Sequence, residues 1–172
     1  NITDEMNAGL LHDILMKKGA DLLVKTVKAI ESGNFETIPQ DEVIVSDKEL
    51  KKAPKIFRND CRIDWDQDVK KVYNHIRGLS PYPAAYTELI DKEGNVLSLR
   101  IYTTEMIEGR HDASPYEILT DEKTYIYITT EGGLISLLDV QLQGKKRMKT
   151  QEFLRGFQIR NYKIKPASSQ LT

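Results

Sequence analysis

The stretch Tyr86–Thr103, YTELIDKEGNVLSLRIYT, decides how the rest of the chain is read. Beyond Pro83 the apolar period falls from about 3.6 to two, the spacing that sends successive side chains to opposite faces of a strand. Tyr86 to Ile90 and Val96 to Thr103 therefore read as strands, and Asp91-Lys92-Glu93-Gly94-Asn95 between them supplies the Gly and Asn that tolerate positive φ in a hairpin turn. Towards the C-terminus, Tyr116 to Leu119, Thr124 to Thr129 and Leu134 to Leu142 continue the pattern, the last two joined across Glu131-Gly132-Gly133. Short strands at this spacing predict a small antiparallel barrel. A helix from about Thr150 to Gly156 turns Phe153 and Leu154 inward, and the tail Pro166-Ala167-Ser168-Ser169 is expected to fray.

Towards the N-terminus the period is helical. Val69, Val72, Tyr73, Ile76 and Leu79 share one face, while Lys70, Lys71, Asn74 and Arg77 share the other. Asp66 or a neighbour is placed to cap this helix, and Gly78 with Ser80-Pro81 to end it. Before it, Asn34 to Phe57 reads as a linker with a short apolar patch, Val43-Ile44-Val45. The opening segment, Thr3 to Gly33, predicts two helices separated at Gly19. Met6, Leu10, Leu11, Ile14 and Leu15 stripe the first, which Thr3 or Asp4 can cap; Leu22, Leu23, Thr26, Val27 and Ile30 stripe the second. Stripes so wide need a surface to cover them. They are expected to belong to a domain the sequence does not contain, and a chain opening on Asn1-Ile2-Thr3 reads as a piece of something longer. The fold class is thus α+β: terminal helices of another domain in 1–40, a linker in 41–58, and a barrel with flanking helices in 59–172.

Charged residues form 30% and apolar residues 40% of the 172 residues, the composition of a folded, soluble chain. The absence of a long apolar run and of a leader pattern gives the cytoplasm as the expected compartment. Cys61 is the sole cysteine, so no internal disulfide can form, and no Cys or His stands at zinc-ligand spacing. A net charge of −1 conceals an asymmetry: Gly144 to Lys165 holds eight basic residues against the single acid Glu152, a local +7 that leaves −8 elsewhere. Positive charge loaded at one end points to an anionic partner, nucleic acid ahead of membrane. Lys145, Lys146, Arg147 and Lys149 are the leading candidates for phosphate contacts, with Arg155, Arg160, Lys163 and Lys165 behind them. A solvated charge run that only aids solubility is the competing reading.

Several local motifs stand in one collinear order. Ile63-Asp64-Trp65, Ile76-Arg77-Gly78-Leu79, Pro81-Tyr82-Pro83-Ala84-Ala85, Leu142-Gln143-Gly144-Lys145-Lys146-Arg147-Met148 and Phe153-Leu154-Arg155-Gly156 resemble the C-terminal region of bacterial methionyl-tRNA formyltransferases. Leu11-His12-Asp13, Gly19-Ala20-Asp21-Leu22-Leu23, Pro39-Gln40 and Ala53-Pro54-Lys55 resemble the end of the catalytic domain and the linker of the same family. Tyr82 stands where the family often has Trp, which keeps an aromatic plate. The resemblance implies an OB-like barrel behind a Rossmann-like domain, and a family activity that moves a formyl group from formyl-tetrahydrofolate to methionyl-tRNA. It places the catalytic asparagine, histidine and aspartate, and the folate site, upstream of Asn1. This chain is therefore expected to be inactive alone, to bind no cofactor or metal, and to meet initiator tRNA as a monomer through phosphates, with Lys55 of the linker as a further contact.

Other residues receive structural readings. Pro81 and Pro83, flanking Tyr82, are expected to lock the exit from the helix, and Trp65 before it to wedge against the barrel. His12, His75 and His111 are too scattered for a triad, and adjacent His12 and Asp13 are expected to diverge on a helix surface. Arg77 fits either a phosphate or an acid such as Asp64. A structured tRNA gripped by its backbone predicts little base stacking. Two other functions stay open: the matching region of a folate-dependent formyltransferase acting on a nucleotide sugar, and a protein-interaction module.

Overall fold

A computed structural model describes residues 1–43 and 52–167; Ile44-Val45 of the expected apolar patch and Ser168-Ser169 of the tail lie outside the described residues. The chain divides into two compact units, Leu10–Ile56 and Asn1–Gly9 with Phe57–Thr172. One continuous helix, α1 (Ala8–Glu31), all but its first two residues in the first unit, replaces the expected pair. Gly19 costs a helix interior about 1 kcal/mol relative to Ala, too little to break 24 residues rich in Leu, Lys and Ala. None of α1 is buried, and Leu22 and Leu23 are exposed. A single turn, α2 (Gln40–Val43), follows. No described helix is long and apolar enough to cross a membrane.

The larger unit is a mixed α+β structure. Helix α3 (Val69–Leu79) is capped by Asp68, whose Oδ1 accepts from the amides of Lys70 and Lys71 at 2.9 and 3.3 Å. It buries Val69, Val72, Ile76 and Leu79, the face its periodicity predicts. The strands are β1 (Ala85–Ile90), β2 (Val96–Glu108), β3 (Ile118–Thr120), β4 (Ile126–Thr130), β5 (Gly133–Leu142), β6 (Met148–Lys149) and β7 (Lys163–Ile164), with α4 (Thr150–Gly156) between the last two. They form one antiparallel sheet in the order β3-β4-β5-β2-β1-β7, with β6 beside β5, curled into a nearly closed barrel. Inside it, Leu99, Ile101, Ile126, Ile135 and Val140 are fully buried.

Trp65 joins this core with no exposed surface, and its Nε1 donates to Thr87 Oγ1 at 3.1 Å. Tyr82, between the two prolines of the helix exit, is 87% exposed. The helix exit is held by backbone, the Ala84 amide donating to Leu79 O at 2.9 Å. Arg77 is settled as a tie to the N-terminal segment, donating through Nη1 to Thr3 O at 3.0 Å and Met6 O at 2.7 Å. Asp64 instead accepts from Tyr116 Oη at 2.5 Å.

Candidate nucleic-acid interface

Strand β5 ends at Leu142, and the chain reverses through Gln143-Gly144-Lys145-Lys146 before pairing back as β6. Gly144 takes the positive φ of 75° that this reversal needs. The turn is pinned at several points. The Lys145 amide donates to Leu142 O at 2.9 Å, and Gln141 Nε2 donates to Lys145 O at 2.9 Å. Gln141 is itself oriented by Tyr102 Oη, which donates to its Oε1 at 2.6 Å. Lys145 and Lys146 consequently project from a fixed backbone. Both are exposed and neither forms an ion pair among the described residues.

Arg147 and Lys149 are placed differently. Asp139 and Lys149 are opposed in the β5–β6 register. Asp139 is buried and receives Arg147 Nη2 at 2.7 Å and Lys149 Nζ at 3.5 Å. The Arg147 guanidinium also lies over the Tyr102 ring, 4.3 Å from its centroid. Arg147 is thus held between an acid and an aromatic face, beside the same Tyr102 that orients Gln141.

The other candidates occupy two more places. Arg160, just beyond α4, donates to Thr120 O at 2.8 Å and faces Glu122 at 3.7 Å; exposed Arg155 forms no ion pair among the described residues. Lys163 opens β7 and Lys165 directly follows it, with Lys165 Nζ 3.5 Å from Glu88, an acid that Arg62 also meets at 2.9 Å. One rung relates this strand to the turn: the Gln143 amide donates to Ser98 O, Ser98 faces Glu88, and the Lys165 amide donates to Glu88 O. Three interstrand steps separate its ends, roughly 14 Å. Lys55 belongs to the other unit, where it is exposed. The structure therefore brings Lys145, Lys146, Arg147 and Lys149 together in one hairpin, sets Lys165 on the rung that leads to it with Lys163 two residues further along, and pairs four of the eight C-terminal cations with acids.

Sequence reading missed Arg100. It is exposed on β2 in the rung Tyr86–Arg100–Gln141, beside Tyr102 and the turn. The alternation of Ser98, Arg100 and Tyr102 against buried Leu99 and Ile101 is the signal that could have placed it outward.

The histidines take no part in this surface. His111 ties a loop through contacts with Ala113 O, Thr130 O and Gly133 O. His12 and Asp13 do meet, at 3.2 Å, contrary to their expected divergence; both are largely exposed on α1. Cys61 is buried with a free thiol.

Of the carboxylates held below their ordinary value, buried Asp139 and half-buried Asp64 tie the fold of the barrel to pH. Burial raises the pKa of Asp139, but Arg147 and Lys149 outweigh it and hold the carboxyl below its ordinary value. Burial likewise opposes, and hydrogen bonds from Tyr116, Asp66 and Gln67 overcome, in lowering Asp64. Both groups bind protons more weakly folded than unfolded, so their stabilisation is present above the unfolded value of about 4 and is lost as pH falls through the folded one. Urea midpoints are expected to fall below about pH 4. The combined Asp64→Asn and Asp139→Asn variant should show a shallower acid limb, and an unaltered limb would count against these assignments.

Comparison with known proteins places this arrangement. Residues 55–158 match the family described as "Formyl transferase, C-terminal domain". A methionyl-tRNA formyltransferase of Bacteroides fragilis is 46% identical over 158 residues, 92% of this chain and 48% of that protein. One from Phocaeicola vulgatus is 47% identical over 156 residues, 91% of this chain and 48% of that protein. The chain thus spans about half the length of the curated relatives it matches. Among solved structures, a variant of HypX from Aquifex aeolicus shares the fold with a TM-score of 0.60 at 20% identity, over 90% of this chain and 27% of that one. HypX in complex with tetrahydrofolic acid aligns with a TM-score of 0.54 at 21% identity, over 78% of this chain and 22% of that one.

Proposed function

The chain belongs to the formyl transferase C-terminal domain family, and from that premise we propose that it supplies the tRNA grip of a methionyl-tRNA formyltransferase. The barrel-like sheet serves as an OB-like platform, monomeric and cytoplasmic, that meets the phosphates of initiator tRNA. Formyl transfer from formyl-tetrahydrofolate to the methionyl amino group belongs, in this reading, to the part of the relatives' length that this chain does not match. The observation that carries the proposal is the pinned turn Gly144–Lys146, which holds two lysines without acid partners among the described residues on a backbone fixed by Gln141.

The cations divide into two roles. Lys145 and Lys146 neutralise phosphates, joined by Arg100, Arg155 and Lys163, and Lys55 adds a contact from the linker. Arg147, held by Asp139 and Tyr102, acts first as a strut for the turn. Lys149, Arg160 and Lys165 reach phosphate only by sharing with the acids they already face. A basic turn that tracks a backbone without reading bases gives binding that weakens steeply with salt.

Electrophoretic shift of initiator tRNA across a salt series tests this. Lys145→Ala with Lys146→Ala is expected to lower affinity about tenfold or more and to reduce the slope of log K against log salt by roughly two, about one per lost contact. Unchanged affinity and slope would remove the turn from the interface. No shift with the unaltered chain would favour the nucleotide-sugar branch or a protein-interaction module.

A further inference from the structure

We propose that the cleft between the β3–β4 turn and the C-terminal end of α4 receives one unpaired nucleobase of the bound RNA. The inference rests on the tRNA reading above and extends it from phosphate contact to base capture.

Three aromatic rings lead into the cleft. Phe153 is buried, Phe157 stacks with it at 4.7 Å and 29°, and Tyr162 stacks with Phe157 at 4.8 Å and 23°. Phe157 is thereby occupied by both neighbours, whereas Tyr162 ends the series, half-buried, and lines the cleft. A base seated in the cleft against Tyr162 would lengthen this series, as bases do on aromatic platforms. The cleft measures about 690 Å³, within the range of roughly 300–1,000 Å³ usual for small-molecule sites and ample for a single base.

Its polar groups suit the edge of a base. Gln158 and Asn161 line the cleft, and Asn161 Nδ2 donates to Gln158 Oε1 at 3.1 Å. That bond leaves the Gln158 amide NH2 as a donor and the Asn161 carbonyl as an acceptor, a pair that complements the mixed edge every nucleobase presents. The charges of the lining balance, Asp121 and Glu122 against Lys123 and Arg155, which suits a neutral guest. Asp121 and Glu122 stand on the rim, the first receiving Thr124 Oγ1 at 2.6 Å and the second facing Arg160 at 3.7 Å. A base enters between them while its phosphate stays outside at Arg155, which also lines the cleft. Helix α4 carries the chain from Lys149 to Arg155, about 9 Å along its axis. One strand of RNA can therefore follow the basic hairpin and then deliver a base. A paired base cannot turn out of its stack without cost, so the site selects unpaired positions.

Fluorescence anisotropy with the full 172-residue chain tests the cleft against three probes: initiator tRNA, a short unstructured RNA oligomer, and an RNA duplex of matching charge. Tyr162→Leu is expected to weaken tRNA and the oligomer by between about 5-fold and 140-fold, the range of one lost base stack, with duplex binding and the salt slope unchanged. Tyr162→Phe should restore affinity. Gln158→Ala with Asn161→Ala, both exposed positions outside the stack, should also weaken tRNA and oligomer but not duplex, which keeps the test decisive if Tyr162→Leu fails to fold. If the Gln158/Asn161 pair and the folded Tyr162 variant bind every probe as the unaltered chain does, while the Lys145/Lys146 variant loses tRNA, the cleft is overturned and the phosphate grip stands. Selective, Tyr162-dependent oligomer binding without tRNA binding would instead uphold the cleft and overturn the tRNA reading.

Discussion

Trp65→Ala is expected to cost about 3–5 kcal/mol of folding stability, the usual penalty for removing a large aromatic side chain from a core. Two losses add. The indole is fully buried with Ile63, Val69, Leu89 and Leu99 in one apolar cluster, so the truncation opens a cavity that these side chains refill only in part. Its Nε1 donor also disappears, and Thr87, 1% exposed, is left with a hydroxyl that loses its partner at 3.1 Å. Domains of this size are stable by only about 5–15 kcal/mol, so the variant should sit near its folding threshold. Trp65→Phe fills most of the space and orphans only the hydroxyl, with an expected cost of about 1–3 kcal/mol. Urea unfolding followed by circular dichroism measures both, since Trp65 is the single tryptophan and its emission vanishes with it. A loss under about 1 kcal/mol for the alanine variant would contradict a keystone role in the barrel.

A methyl group added at Gly133 should destabilise by about 3 kcal/mol, the upper part of the range for overpacking. The new Cβ would overlap the carbonyl oxygen of Ile107 and come 3.0 Å from Val69 Cγ2. Ile107 lies on β2 opposite the start of β5, so that carbonyl moves only by disturbing the longest ladder in the sheet. Val69 opens α3, and its amide donates to Glu131 O at 2.9 Å. The contrast is Gly78→Ala. Gly78 lies exposed within α3 with open space around its Cβ position, so the same substitution should stabilise by about 0.5–1 kcal/mol. Opposite signs from one chemical change separate crowding from backbone freedom, and equal shifts would refute the close approach at Gly133.

The elements that sequence predicts well are those in which burial and local preference agree. Helix α3 has a clean apolar face and an acidic cap, although the cap is Asp68 and not Asp66. The hairpin β1–β2 follows from its turn, but β2 runs on to Glu108 because register shifts between Ile101 and Thr104 interrupt its alternation without ending the strand. Gly19 misled the reading of α1, since one residue's propensity is small beside that of a long helical run. Strands of two residues, β6 and β7, have no period to detect. At the candidate interface the excess of positive charge was legible and its neutralisation was not. Asp139 sits in the apolar run Leu137-Leu138-Asp139-Val140, where nothing local reveals that it faces Lys149 and receives Arg147 across the hairpin. The cleft beside Tyr162 was equally hidden, because stacking between Phe153, Phe157 and Tyr162 follows from an irregular chain path that no periodicity describes.

The barrel stops short of full closure, and the strands at the ends of its hydrogen-bonded order, β3 and β7, are only three and two residues long. Arg160 hydrogen-bonds the carbonyl of Thr120, the last residue of β3, only three positions before β7 begins. Such stubs give a foreign strand very little template. Even in concentrated solution, edge-to-edge growth of this sheet into fibrils should find too few rungs to propagate.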